Sequence, residues 1–128
     1  MMPDPELKER LEAELERLSA RRETVTYRDM AKSLGMSGGQ TIHRLTLLLE
    51  ETMREDHARG RPLRASLVVS RTSGNLPQRG FFQLLRELGL YNGSEQGAEA
   101  EAAHQHELAR LWDSQRSRQE GRGSSGSS

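Results

Sequence analysis

The chain of 128 residues contains no cysteine, which removes disulfides, thiolate-zinc sites, iron-sulfur clusters and thiol nucleophiles together. No stretch approaches the roughly 18 consecutive apolar residues of a membrane-spanning helix, and residues 1–9 lack a basic segment followed by an apolar one, so neither membrane association nor a secretory leader is expected and a cytoplasmic protein is the default. The phosphate-cradling and nucleophile-elbow glycine motifs are missing, as is any internal repeat of solenoid length. With only 33% hydrophobic and 4% aromatic residues, the core must be small. No enzymatic activity, cofactor or metal is expected.

Net charge is also absent, at zero, but the charges are segregated along the chain. The first eighteen residues carry Asp4, Glu6, Glu9, Glu12, Glu14 and Glu16 against Lys8, Arg10 and Arg17. Residues 57–86 hold no acid, yet include Arg59, Arg61, Arg64, Arg71, Arg79 and Arg86. A cationic middle between acidic flanks points to an anionic partner.

Pro3-Asp4-Pro5 offers a cap and an early proline, and Leu7, Leu11, Leu15 and Leu18 follow at helical spacing, giving an amphipathic helix that packs on the domain or on a second copy of itself. Glu23-Thr24-Val25-Thr26-Tyr27 has strand composition, and a second helix follows over 28–34, stopped by Gly35. Met36-Ser37-Gly38-Gly39-Gln40 is a turn. A third helix over 40–57 buries Ile42, Leu45, Leu48, Leu49 and Met53, and Gly60-Arg61-Pro62 ends it. Residues 65–70 read as a strand around Leu67-Val68-Val69, residues 71–78 as a loop, and Phe81, Phe82, Leu84, Leu85 and Leu88 as the apolar side of a fourth helix. After a linker over 92–97, residues 98–113 have helical composition, with Ala100, Ala103, Leu108, Leu111 and Trp112 on one side. His104 and His106, about 200° apart on a helix, cannot share a metal and are expected at the surface.

This order predicts a mainly α protein with a small β element. The expected layout is an N-terminal amphipathic helix over 1–22, a winged helix-turn-helix core over 23–91, a linker and C-terminal helix over 92–113, and a tail without order over 114–128. A winged helix presents one helix to the major groove and its strand-loop element to neighbouring phosphates. Gln40, Thr41, His43 and Arg44, with Leu47 one turn on, then face base edges. The amides of Gly38, Gly39 and Gln40 form a phosphate-binding helix start, and Arg59, Arg61, Arg64, Arg71 and Arg79 touch phosphates. Against this, Glu50, Glu51, Glu55 and Asp56 make the far half of the third helix acidic.

Val25-Thr26-Tyr27-Arg28-Asp29-Met30-Ala31-Lys32-Ser33-Leu34-Gly35 resembles the Thr-Tyr-Gly-x-Ile-Ala-x-x-x-Gly signature that opens the DNA-binding domain of O6-alkylguanine-DNA alkyltransferases and alkyltransferase-like proteins. The resemblance runs loosely to residue 90, about half the chain. It implies a winged-helix fold and places Tyr27 near a DNA phosphate. The family's reactive Pro-Cys-His-Arg motif falls on Pro62-Leu63-Arg64-Ala65, without nucleophile or histidine, so alkyl transfer is not implied. The arginine that the family inserts into the base stack has no counterpart at Gln40-Thr41-Ile42. The expected function is non-enzymatic binding of double-stranded DNA. The alternative is an interaction module that docks an acidic protein surface by its arginines or its terminal helices, with a homodimer through the Leu7 stripe as one form.

Overall fold

The computed structural model describes residues 5–127, and side chains through residue 117 apart from that of Ser73. It is mainly helical, with one two-stranded sheet. Helix α1 (Pro5–Arg21) is followed by β1 (Val25–Thr26), α2 (Tyr27–Ser33) and α3 (Thr41–Ala58). A 3-10 turn (Arg64–Leu67), β2 (Val68–Val69), a second 3-10 turn (Arg71–Ser73), α4 (Arg79–Glu87) and α5 (Gly97–Ser127) complete the chain. The expected order of elements over residues 23–91 is present, with two local differences.

Both differences shorten the strands. β1 is only two residues long because Thr26 turns to cap α2, its hydroxyl accepting the Asp29 N–H at 3.1 Å, a common use of threonine at a helix start. Residues 65–67, expected as part of a strand, lie in a 3-10 turn over 64–67, with Ser66 N–H donating to the Leu63 carbonyl at 3.1 Å. Only Val68 and Val69 remain to pair with Val25 and Thr26, in parallel register. Just beyond, Ser70 pairs antiparallel with Leu76 and closes a loop over 71–75.

Glycines end three helices where the backbone turns left-handed, Gly89 (φ 76°) following α4 with the Leu90 N–H reaching the Leu85 carbonyl at 2.9 Å. Gly35 (φ 69°) follows α2, with the Met36 N–H reaching the Ala31 carbonyl at 2.9 Å. Gly60 (φ 66°) follows α3, with the Arg61 N–H reaching the Asp56 carbonyl at 2.8 Å. Such bonds satisfy carbonyls that the helix itself leaves open.

The core gathers around the 64–67 turn, which packs against α1, α3 and α5. Leu11, Leu15, Met30, Leu45, Met53, Leu63, Leu67 and Phe82 are fully buried in it. All four leucines of the α1 stripe are covered by the rest of the chain, and each contributes on the order of 2 kcal/mol by burial. The stripe is therefore covered within one chain. On α5, Ala100, His104, Glu107, Leu108 and Leu111 point inward, and Trp112 packs at the core margin.

Two expectations for α5 are corrected. His104 is buried, because it lies one helical turn from both Ala100 and Leu108, and its Nε2 is 2.8 Å from the Ser66 carbonyl. His106, two positions on, is exposed. Order also continues past the expected boundary at residue 114, since Gln115 donates to the Ser19 hydroxyl at 3.2 Å. The side chains of the Gly/Ser run lie outside the described residues, as do residues 1–4 with the expected Pro3-Asp4 cap.

Candidate nucleic-acid interface

Helix α3 rises about 25 Å from end to end, and its two ends are built differently. At its start, Gly38, Gly39 and Gln40 are exposed. Gln40 caps the helix in the left-handed region (φ 58°) and provides no side-chain cap, and no acid stands in the first turn. The first amides of the helix therefore have no capping side chain. Thr41, expected at bases, instead donates its hydroxyl to the Gly38 carbonyl at 2.8 Å and braces the turn.

With 100° between successive residues, Gln40, His43, Arg44 and Leu47 share one side of α3, and all four are exposed. Leu47 is 49% exposed, one of two exposed large apolar residues among the described residues. The opposite side holds the buried Leu45, Leu48, Leu49, Thr52 and Met53.

Beside this outward face lies a groove lined by Thr26, Tyr27, Arg28 and Asp29 at the start of α2, Ile42 of α3, Val69 to Thr72, and Gln78. Tyr27 is buried against it, and its hydroxyl accepts the Gln78 N–H at 2.9 Å. Burial, reinforced by Glu50 and opposed by the Gln78 bond, pushes the Tyr27 phenol up to about 12, so it keeps its proton at neutral pH. Arg28 and Arg71 stand exposed on the rim. Arg28 was not singled out from sequence, although helical spacing places it away from the buried Tyr27, Met30 and Ala31.

The far end of α3 is occupied by internal ion pairs. Lys8 of α1 bridges Glu51, at 3.0 Å, and Glu55. Asp56 is fully buried, and its carboxylate receives the Arg64 Nε at 3.0 Å and the Arg64 backbone N–H at 3.1 Å. The same guanidinium reaches Glu12 at 3.2 Å and Glu16 at 3.5 Å. Burial pulls the Arg64 guanidinium down, but Asp56 and Glu12 together outweigh it and hold the group above its ordinary range.

The five arginines expected at phosphates do not form one surface. Arg64 is buried and committed to three carboxylates, so it is not available to an external anion. Arg59 and Arg61 follow the end of α3, a helix length from Gln40, and Arg61 lines a small cavity with Asp56, Arg64 and Gln115. Arg79 is open to solvent but pairs with Glu95 at 3.2 Å, beside the Arg86–Glu95 pair at 3.6 Å. Arg71 alone joins the groove. The cause is the fold: an acid-free stretch in sequence meets acids that α1, α3 and the 92–97 linker bring from elsewhere. Among the described residues, no acid forms an ion pair with Arg28, Arg44 or Arg71.

Leu63, at the position of the family's cysteine, is fully buried, and its N–H donates to the Glu107 carboxylate at 3.1 Å. Among the described residues there is no group of three or more histidine or carboxylate side chains placed to hold a metal. Compared with known proteins, the chain matches no family and is significantly similar to no curated protein and no solved structure.

Proposed function

We propose that this protein is a non-enzymatic DNA-binding module of the winged-helix kind, with α3 as the reading helix and the 70–76 loop as the wing. One observation carries the reading. The exposed start of α3 and the adjoining groove hold cations that pair with no described acid, while Glu51, Glu55 and Asp56 at the other end are engaged by Lys8 and Arg64. Lys8 and Arg64 offset part of the charge on the acidic half of the helix, the main argument against DNA, and Glu50 stands outside these pairs. Arg28, Arg44 and Arg71 contact phosphates, Gln40 and His43 reach base edges, and the protonated Tyr27 lies between them at the floor of the groove. Leu63 and Arg64 provide neither nucleophile nor base, in keeping with a binding role.

Three phosphate contacts correspond to a slope of log K against log salt of about −3. Fluorescence anisotropy on mixed-sequence duplexes between low and moderate salt measures it. No binding at the lowest salt would remove the proposal.

A second reading, docking on an acidic protein surface, is favoured by Leu47. An exposed leucine among polar residues also suits the apolar centre of a protein contact. A partner that engages Leu47 and Arg44 while duplex DNA does not would establish it instead.

A further inference from the structure

Resting on the DNA-binding reading, we infer that Leu47 is a specificity-determining residue that reads the 5-methyl group of a thymine in the major groove. On the outward side of α3, Leu47 stands one turn beyond His43 and Arg44, 49% exposed and outside the core. The residues at helical spacing from it are polar or charged: Gln40, His43, Arg44, Glu50, Glu51 and Arg54. A leucine there adds nothing to the core, and water pays no favourable return for its exposed carbons.

The groove follows from side-chain size. An α-helix with its side chains is about 10–12 Å across, which the major groove, about 12 Å wide, admits and the minor groove, about 6 Å wide, does not. Gln40, His43, Arg44 and Leu47 are all long, so this side of α3 has no small-residue stripe along which a duplex backbone could approach more closely. In the major groove, base edges offer hydrogen-bond donors and acceptors and a single apolar group, the thymine methyl. Gln40 and His43 match the former and Leu47 matches the latter. The expected site therefore has a thymine one or two base pairs from the base that His43 contacts.

The test uses the full chain. A preferred duplex is selected from a randomised pool, and each dT in it is exchanged singly for dU, which deletes only the methyl. At one position the exchange weakens binding by wild-type protein about fourfold, the factor expected for one buried methyl. Leu47→Ala binds the dT duplex less tightly and is indifferent to that exchange, while melting at the wild-type temperature because Leu47 lies outside the core. Binding of wild type that is equal for dT and dU at every position overturns the inference and leaves DNA binding standing. So does a Leu47→Ala protein that keeps the dT preference, or a selected site without thymine. Failure of wild type to bind any duplex at low salt overturns both.

Discussion

The two ends of α3 show how one amphipathic helix is divided between holding the protein together and facing outward. At the carboxyl end, Glu51, Glu55 and Asp56 meet cations from α1 and from the 64–67 turn, and a guanidinium and a carboxylate are buried against each other. At the amino end, His43, Arg44 and Leu47 face solvent above a turn that has no side-chain cap. A buried charge needs its partner, because desolvation costs more than an unpaired group can recover, whereas an exposed charge costs little to leave alone. The difference teaches that charge counts along a sequence are a poor guide to free surface charge. Lys8 and Arg64 offset only part of the acid at one end of α3, while Arg28, Arg44 and Arg71 near the other end pair with no acid among the described residues.

Substitutions that separate the two ends sharpen this comparison. The largest effect is expected at Asp56. Asp56→Ala leaves Arg64 in a buried site without its nearest carboxylate and lowers unfolding free energy by about 3–5 kcal/mol, measured by urea denaturation. A loss below about 1 kcal/mol would mean that Glu12 and Glu16 suffice and that the carboxyl end is less tightly organised than described.

Next comes the double substitution Arg44→Ala with Arg71→Ala. It reduces the salt slope of duplex binding by about 2 and changes stability by no more than about 0.5 kcal/mol, as for exposed sites generally. Arg59→Ala, past the other end of the helix, leaves the slope unchanged. Equal effects of Arg44 and Arg59 in binding titrations would erase the distinction between the ends.

A smaller effect involves His104, whose pKa burial lowers below its ordinary value, with the Ser66 carbonyl opposing. Because the neutral ring is the favoured folded form, the unfolded chain binds the proton more readily. Stability is therefore full above the unfolded value of about 6.5 and declines as pH falls toward the lower folded value. Urea midpoints measured from neutral pH downward should show this decline, and His104→Gln should flatten it. A pH slope that is the same in the variant would assign the decline to other groups.

The smallest expected change is at Gln40. Gln40→Gly relieves a left-handed backbone (φ 58°) and raises stability by about 0.5 kcal/mol after the entropy of the unfolded glycine is counted. A decrease, in thermal melts, would show that the Gln40 side chain holds the turn in some way other than by capping.

Much of the helical layout was legible because its periodicity is local. Leu7, Leu11, Leu15 and Leu18 announce the buried side of α1, and Leu45, Leu48, Leu49 and Met53 that of α3. Gly35 and Gly60 mark the ends of α2 and α3. The strands were less legible: β1 gives up Tyr27 to α2 because Thr26 caps that helix, and residues 64–67 satisfy their backbone locally as a 3-10 turn. His104 was misplaced at the surface because its neighbours Gln105 and His106 are polar, although Ala100, Leu108 and Leu111 share its side of α5. Of the candidate interface, Gln40, His43, Arg44 and Arg71 were found from sequence and are exposed as expected. Arg28 was missed, and Arg59, Arg61, Arg64 and Arg79 were grouped with them without a shared surface.

The sequence by itself determined that the protein is mainly helical, which faces of α1 and α3 turn inward, and that cysteine chemistry is closed to it, since each follows from residue type and from spacing within a few turns. Only the tertiary structure decided which charges are free. Glu12 and Arg64 are far apart in the chain and meet only when α1 lies on the 64–67 turn, and Glu95 reaches Arg79 only once α4 has folded back toward the linker. Ion pairing depends on distances of a few ångströms between groups of distant sequence position, and no local pattern encodes them.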